Sequence, residues 1–155
     1  MQIGESYIDN NTLCLKGALT NKIIDLVVER KVCFIDLERY VPWGKIDVRA
    51  ISSAIMRLDI NDPDAPNEIA LLFPRLEQLN LSRGPEVGFL SQFRSLRDCT
   101  LSEMRIWPDD LKNVKTLRRL HLGEGVKLKD SPRFEELPFL EKRLVSRICG
   151  YEVVR

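Results

Sequence analysis

The chain has 155 residues, of which 44% are hydrophobic and 30% charged, and its formal net charge is +1. This length is sufficient for one domain with a buried core, and the near-neutral charge argues against a general polyanion-binding protein. No apolar run approaches the ~18 residues of a membrane span, and the N-terminus has neither a basic nor an apolar stretch. We therefore expect a cytoplasmic protein without signal peptide or membrane partner; secretion without a cleavable signal, as an effector, stays open.

Pairs of apolar residues two positions apart recur every 20 to 23 residues. The pairs are Leu13/Leu15, Ile35/Leu37, Leu58/Ile60, Leu79/Leu81, Cys99/Leu101 and Leu120/Leu122. Each pair except the first has another apolar residue three positions upstream. The alternation predicts one short strand per unit with one buried face, and the period predicts that successive strands stack side by side.

The connections between these strands change character along the chain. Residues 20–30 read as an amphipathic helix with Thr20 or Asn21 as its cap, and residues 48–56 and 65–73 read as shorter helical stretches. Residues 61–67 contain two prolines and predict a protruding loop. Later connections are rich in glycine and proline, so we expect 3-10 or extended segments there.

The two ends of the stack need caps, because a terminal unit exposes an apolar face. The first unit carries Asn10 where the others have an aliphatic residue, and residues 137–145 repeat the pattern with Arg143 at a leucine position. We expect caps at about residues 1–11 and 137–155, with a degenerate seventh unit in the second cap. The prediction is one domain over residues 1–155.

The phrase L-x-x-L-x-L, clearest in residues 73–81, 93–101 and 106–122, resembles that of leucine-rich repeat proteins over about residues 8–145. The resemblance implies an α/β right-handed solenoid with a parallel concave sheet of about six to seven strands and helices, 3-10 or extended segments on the convex side. It also implies protein binding on the concave face. Another α/β arrangement is the alternative.

One departure from the family is systematic. Family members usually place Asn or Cys three residues after the last strand leucine, where the side chain bonds backbone groups of the bend. Here that position holds Ala18, Tyr40, Pro63, Gly84, Met104 and Gly125. Buried backbone groups still need partners, so we expect bends satisfied by water, turns or local helix, and an irregular solenoid.

The predicted stacking brings distant residues into columns on the concave face. The residue between the two strand leucines of each unit points outward, as does the residue before the first leucine. The candidate contact residues are Phe34, Asp36, Arg57, Asp59, Asn80, Asp98, Thr100, Arg119 and His121. Phe34 is the candidate apolar anchor. This mixed polar face is either a solvated structural surface or a surface that recognises one partner.

Enzymatic readings have little support in the sequence. Asp36 and Asp59 are expected ~5 Å apart on adjacent strands, a spacing that retaining glycosidases use, but on an open sheet. Cys14 and His121 are expected roughly 24 Å apart, too far for a catalytic dyad. Four scattered cysteines and one histidine argue for free thiols and against a zinc site. We expect a protein that is not an enzyme and has no cofactor or metal.

The expected function is therefore a non-catalytic protein–protein interaction, as an adaptor, a regulator or inhibitor, or an immunity-type binder. Two alternatives stay open: a structural subunit of a larger assembly, and RNA or polyanion binding by the basic C-terminal third. Residues 111–155 hold 11 basic and 6 acidic residues, a net +5, whereas residues 1–70 hold 8 and 11, a net −3. We expect another protein, not nucleic acid, as the partner.

Overall fold

The computed structural model describes residues 2–84, 88–106, 111, 113–129 and 152–154. In chain order the elements are β1 (Gln2–Ile3), β2 (Ser6–Asp9), β3 (Thr12–Gly17), α1 (Asn21–Glu29), β4 (Phe34–Tyr40), α2 (Arg49–Ser52), β5 (Arg57–Ile60), a 3-10 helix (Asn67–Leu72), β6 (Gln78–Gly84), a second 3-10 helix (Gly88–Gln92), β7 (Asp98–Ile106), β8 (Arg119–Leu122), β9 (Lys127–Lys129) and β10 (Glu152–Val154). None of the helices in these residues combines the length and apolarity needed to cross a bilayer.

A mostly parallel, open sheet forms the framework of the molecule. Strands β3 to β8 lie side by side in chain order, and each is parallel to the next. Their register aligns Leu13, Ile35, Leu58, Leu79, Cys99 and Leu120 across the sheet. The prediction of a parallel sheet with one strand per unit is confirmed for these strands.

One backbone arrangement repeats at the start of each strand from β4 to β8. A carbonyl on one coil accepts two hydrogen bonds, from two consecutive N–H groups on the next coil, at 2.8–3.2 Å. The accepting carbonyls belong to Asn11, Cys33, Met56, Glu77 and Arg97. The sequence period therefore corresponds to a repeated structural unit, in which each coil is bonded to its neighbours in the same way.

The apolar strand residues and the connecting segments share one hydrophobic core. The strand leucines and isoleucines of β3 to β7 are nearly or fully buried, and Phe73 is the largest fully buried side chain. Trp43 is also buried and contacts Phe73 edge to face at 6.2 Å between ring centroids. Trp43 therefore packs in the core, while Trp107 lies outside the described residues.

The connecting segments are helical at the three places where the sequence predicts helices, but the second and third are shorter than predicted. Helix α1 begins after Thr20, whose hydroxyl accepts a hydrogen bond from the Ile23 N–H at 3.3 Å. The second predicted helix is a single turn, α2, and the third is a 3-10 helix. The predicted loop at 61–67 protrudes less than expected, because Ala65 and Asn67 within it are buried.

The bend after β5 contains a hydrogen-bond acceptor that the resemblance to leucine-rich repeats did not indicate. The Asp62 carboxylate accepts the Tyr40 N–H at 2.6 Å and the Asp64 N–H at 2.8 Å. Tyr40 lies 22 residues earlier, on the preceding coil. An acidic side chain one position away from the family's asparagine position thus satisfies backbone groups on two coils.

Two features near the ends were not predicted. Strands β1 and β2 form an antiparallel hairpin, and β2 pairs antiparallel with β3, beside the first strand of the repeat. At the other end, β7 pairs with β8 through Asp98–Leu101 and with β9 through Arg105 and Ile106, and β10 extends that second branch. The predicted seventh unit at 137–145 lies outside the described residues.

Candidate protein-binding face

The outward side chains of β3 to β8 form the two columns that the sequence predicts. One column runs Cys14, Asp36, Asp59, Asn80, Thr100 and His121, and the other runs Thr12, Phe34, Arg57, Gln78, Asp98 and Arg119. Most of these side chains are half-buried, since they alternate with buried core residues and pack against one another. We call these two columns the polar sheet face. All nine predicted contact residues belong to it.

The centre of the polar sheet face holds two neighbouring carboxylates, Asp36 and Asp59. Asn61 Nδ2 donates to Asp36 Oδ1 at 3.0 Å, and Asn80 Nδ2 donates to Asp59 Oδ1 at 2.8 Å. Arg57 forms a salt bridge with Asp59 at 3.1 Å. Among the described residues, no basic side chain forms a salt bridge with Asp36. The centre is therefore acidic, and its carboxylates are held in place by amide groups.

Burial and charge both perturb these two carboxyl groups. Burial raises the pKa of Asp36, and the negative charge of Asp59 raises it further, while the Asn61 hydrogen bond opposes the change. Burial also raises the pKa of Asp59, against the opposing hydrogen bond and charge of Arg57. Burial therefore disfavours the charged form of both carboxyl groups, and the amides and Arg57 offset only part of this effect.

Phe34, the predicted apolar anchor, lies beside Arg57 in the polar sheet face. Its ring is half-buried, because the Arg57 guanidinium lies over it at 4.2 Å from the centroid. This cation–π contact follows from the register, which places Phe34 and Arg57 side by side on adjacent strands. Phe34 thus helps orient Arg57 toward Asp59. The sequence signal for this contact was the position of an aromatic residue, Phe34, next to a basic residue, Arg57, in one predicted column.

The other end of the polar sheet face is organised around Asp98. Arg119 donates to both carboxylate oxygens of Asp98 through Nε and Nη2. Gln78 Nε2 donates to the same carboxylate at 3.4 Å. Thr100 and His121 lie beside this group in the other column, and both are half-buried. The structure therefore brings the four predicted residues of this end together on two adjacent strands, β7 and β8.

A third group, beside β2, was not predicted as a site. Cys14 is buried and lies opposite Tyr7 on β2, and a hydrogen bond with the Cys14 thiol raises the pKa of Tyr7 to about 12. Potential ligand atoms of Cys14, Asp36 and Glu38 all lie within 4.8 Å of one another. Lys16 Nζ contacts Glu38 at 2.7 Å. This lysine already neutralises one carboxylate of the group.

The sheet order also bears on the catalytic readings. Cys14 on β3 and His121 on β8 are separated by the four strands β4 to β7, so they do not form a dyad. Asp36 and Asp59 are adjacent, as predicted, but each is engaged by an amide from a neighbouring residue. Cys14, Cys33 and Cys99 are free thiols, and Cys149 lies outside the described residues.

Comparison with protein-family models and with curated proteins found no match to this chain.

Proposed function

We propose that this chain is a right-handed solenoid of the leucine-rich repeat type, and that its polar sheet face binds another protein without catalysing a reaction. Three features support the class: the 20–23-residue period, the in-register parallel strands, and the repeated pair of backbone bonds at each strand start. In such a solenoid the polar sheet face is the concave surface.

The observation that carries the binding proposal is the way these side chains hold one another. Hydrogen bonds and ion pairs link Asp36, Arg57, Asp59, Asn80 and Asp98 to neighbours, several of them on the adjacent strand. Side chains already held in one arrangement lose less entropy when a partner binds. The half-buried Asp36, beside a second carboxylate, supplies a place for a basic group of the partner.

Three further parts of the proposal concern the setting of the protein. The β1–β2 hairpin would cap one end of a single domain, because it covers the edge of β3 with an antiparallel partner. We place the protein in the cytoplasm, where free thiols such as those of Cys14, Cys33 and Cys99 persist. An adaptor, inhibitor or immunity-type partner fits a chain of this size.

The test uses two charge-matched triple variants. The face variant carries Asp36→Ala, Asp59→Ala and Arg119→Ala. The control variant carries Lys22→Ala, Asp25→Ala and Glu68→Ala, three exposed residues on connecting helices. Proteins captured from the host by wild-type chain are identified by mass spectrometry, and their affinities are then measured with purified material.

We expect the face variant to bind a genuine partner at least tenfold more weakly, because it loses desolvated charged contacts. The control variant should bind like wild type. Equal binding by all three chains would show that the polar sheet face is not the contact surface. A wild-type chain that stays soluble only within a larger complex would instead identify a structural subunit.

A further inference from the structure

A second charged surface lies at the edge of the sheet where the strands begin. Residues immediately before the strands form a column joined by the repeated backbone bonds: Asn11, Cys33, Met56, Glu77, Arg97 and Arg118. The last two positions of this column are arginines. Three residues upstream of them, on the same two coils, lie Arg94 and Lys115. All four basic side chains are exposed, and we call them the basic edge.

The geometry of the basic edge concentrates its charge. The Arg118 N–H donates to the Arg97 carbonyl at 2.8 Å, so the two coils are neighbours at a strand spacing of ~4.8 Å. Arg94 and Lys115 precede these arginines by three residues each and lie within roughly 10 Å of them by chain reach. Among the described residues Arg94, Arg97 and Lys115 form no ion pair.

The like charges of the basic edge repel one another, and the packing of the core does not require basic residues at these positions. Like charges opposite each other on neighbouring strands are destabilising, and Met56 and Glu77 occupy the same column on earlier coils. The backbone arrangement therefore accepts apolar, acidic or basic residues at this position. The basic residues at both places on two consecutive coils are therefore not required by the backbone arrangement, and they form one patch of like charge.

The chemistry favours carboxylates over a single-stranded nucleic acid. Guanidinium groups bind carboxylates and phosphates alike through paired hydrogen bonds, so the neighbouring aromatic residues decide between the two. Proteins that bind single strands add aromatic platforms on which the bases stack. The aromatic residue next to Arg94, Phe93, is buried and packs edge to face against Phe89 at 6.4 Å. Its ring is therefore turned to the core and offers no platform at this edge.

We propose that the basic edge docks an acidic, Asp/Glu-rich segment of a partner protein through Arg94, Arg97 and Lys115. This surface is separate from the polar sheet face, so the proposal stands whether or not that face binds. Two coils of the repeat supply these three exposed cationic side chains, and a segment with several carboxylates can engage them in parallel. The contact is a charged, exposed one, and its affinity falls as salt rises.

The experiment measures fluorescence anisotropy of a labelled peptide rich in glutamate, with the glutamine version as its neutral counterpart. The test variant is Arg94→Glu with Lys115→Glu. The matched control is Lys22→Glu with Lys45→Glu, which changes the net charge equally at two other exposed lysines. Melting temperatures of both variants are compared with wild type, and Arg94→Gln with Lys115→Gln replaces the test variant if it fails to fold.

We expect the glutamate peptide to bind wild type more tightly than the glutamine peptide, and the test variant to bind it about tenfold more weakly. The control variant should lose less than about twofold. A peptide that binds both variants equally would overturn the proposal. So would a single-stranded RNA of the same charge that binds more tightly than the peptide, since that result would assign the edge to nucleic acid.

Discussion

Replacing Asp62 with alanine tests whether its carboxylate joins two neighbouring coils. The Tyr40 N–H that it accepts at 2.6 Å is partly buried, whereas the Asp64 N–H that it accepts at 2.8 Å is exposed. After the substitution, water can bond the exposed Asp64 N–H, but it reaches the partly buried Tyr40 N–H poorly. Since a hydrogen bond to a charged group contributes ~1.5–3 kcal/mol, we expect Asp62→Ala to lower the free energy of unfolding by about 2 kcal/mol.

Urea unfolding followed by far-ultraviolet circular dichroism measures this change. A loss of about 2 kcal/mol corresponds to roughly thirtyfold in the unfolding constant and to a midpoint shift of roughly 1 M urea. Asp62→Asn keeps an acceptor oxygen and loses the charge, so its loss should be smaller, about 1 kcal/mol. The control is Asp64→Ala, an exposed side chain, with an expected change below about 0.5 kcal/mol.

The reasoning fails if Asp62→Ala and Asp64→Ala shift the midpoint by the same amount. That result would mean that the Tyr40 N–H finds an equally good partner in water, and that the two coils are held by the sheet alone. A loss in Asp62→Asn as large as in Asp62→Ala would instead assign the whole effect to the negative charge.

Three further outcomes follow from the core and the acidic centre. Leu58→Ala should cost about 3 kcal/mol in urea unfolding, because the side chain is fully buried and leaves a cavity, while Met56→Ala at an exposed position should cost little. The pKa of Asp36 lies above its ordinary 3.8 in the folded chain, so the folded state keeps its proton to higher pH and stability falls as the pH rises through that raised pKa. Asp36→Asn should therefore flatten the pH dependence of unfolding above about pH 4; an unchanged slope would contradict the burial argument. Arg57→Ala should raise the pKa of Asp59 still further, measured by carbon-13 NMR titration of the carboxyl, since Arg57 is the main group holding it down.

The register of the sheet could be predicted from the sequence because the paired apolar residues mark the same two positions in every coil. Once coils that lie 20 to 23 residues apart are aligned on these pairs, residues such as Asp59 and Asn80 must be neighbours, whatever the connections between them do. The same regularity placed Asp36 beside Asp59 and Asp98 beside Arg119. The two columns of the polar sheet face could thus be predicted from the sequence.

Contacts that depend on irregular segments could not be predicted in this way. The β1–β2 hairpin lies outside the repeat, and the turn from β2 to β3 places Asn10 at a φ of 50°, a local geometry that the period does not encode. Asp62 reaches back 22 residues from a position that the family pattern does not use. Cys14 seemed an outward residue, and only the placement of Tyr7 beside it explains its burial.

The doubled backbone bonds at each strand start have a consequence for how such a chain can change in length. Because a carbonyl on one coil accepts these two hydrogen bonds from the coil that follows, the residues from Arg57 to Glu77 form one repeat unit whose two boundaries are equivalent. Duplicating that unit would widen the ribbon by one strand width of ~4.8 Å and leave every other joint as it was. Gene duplication or protein engineering could therefore extend the polar sheet face by adding whole repeat units.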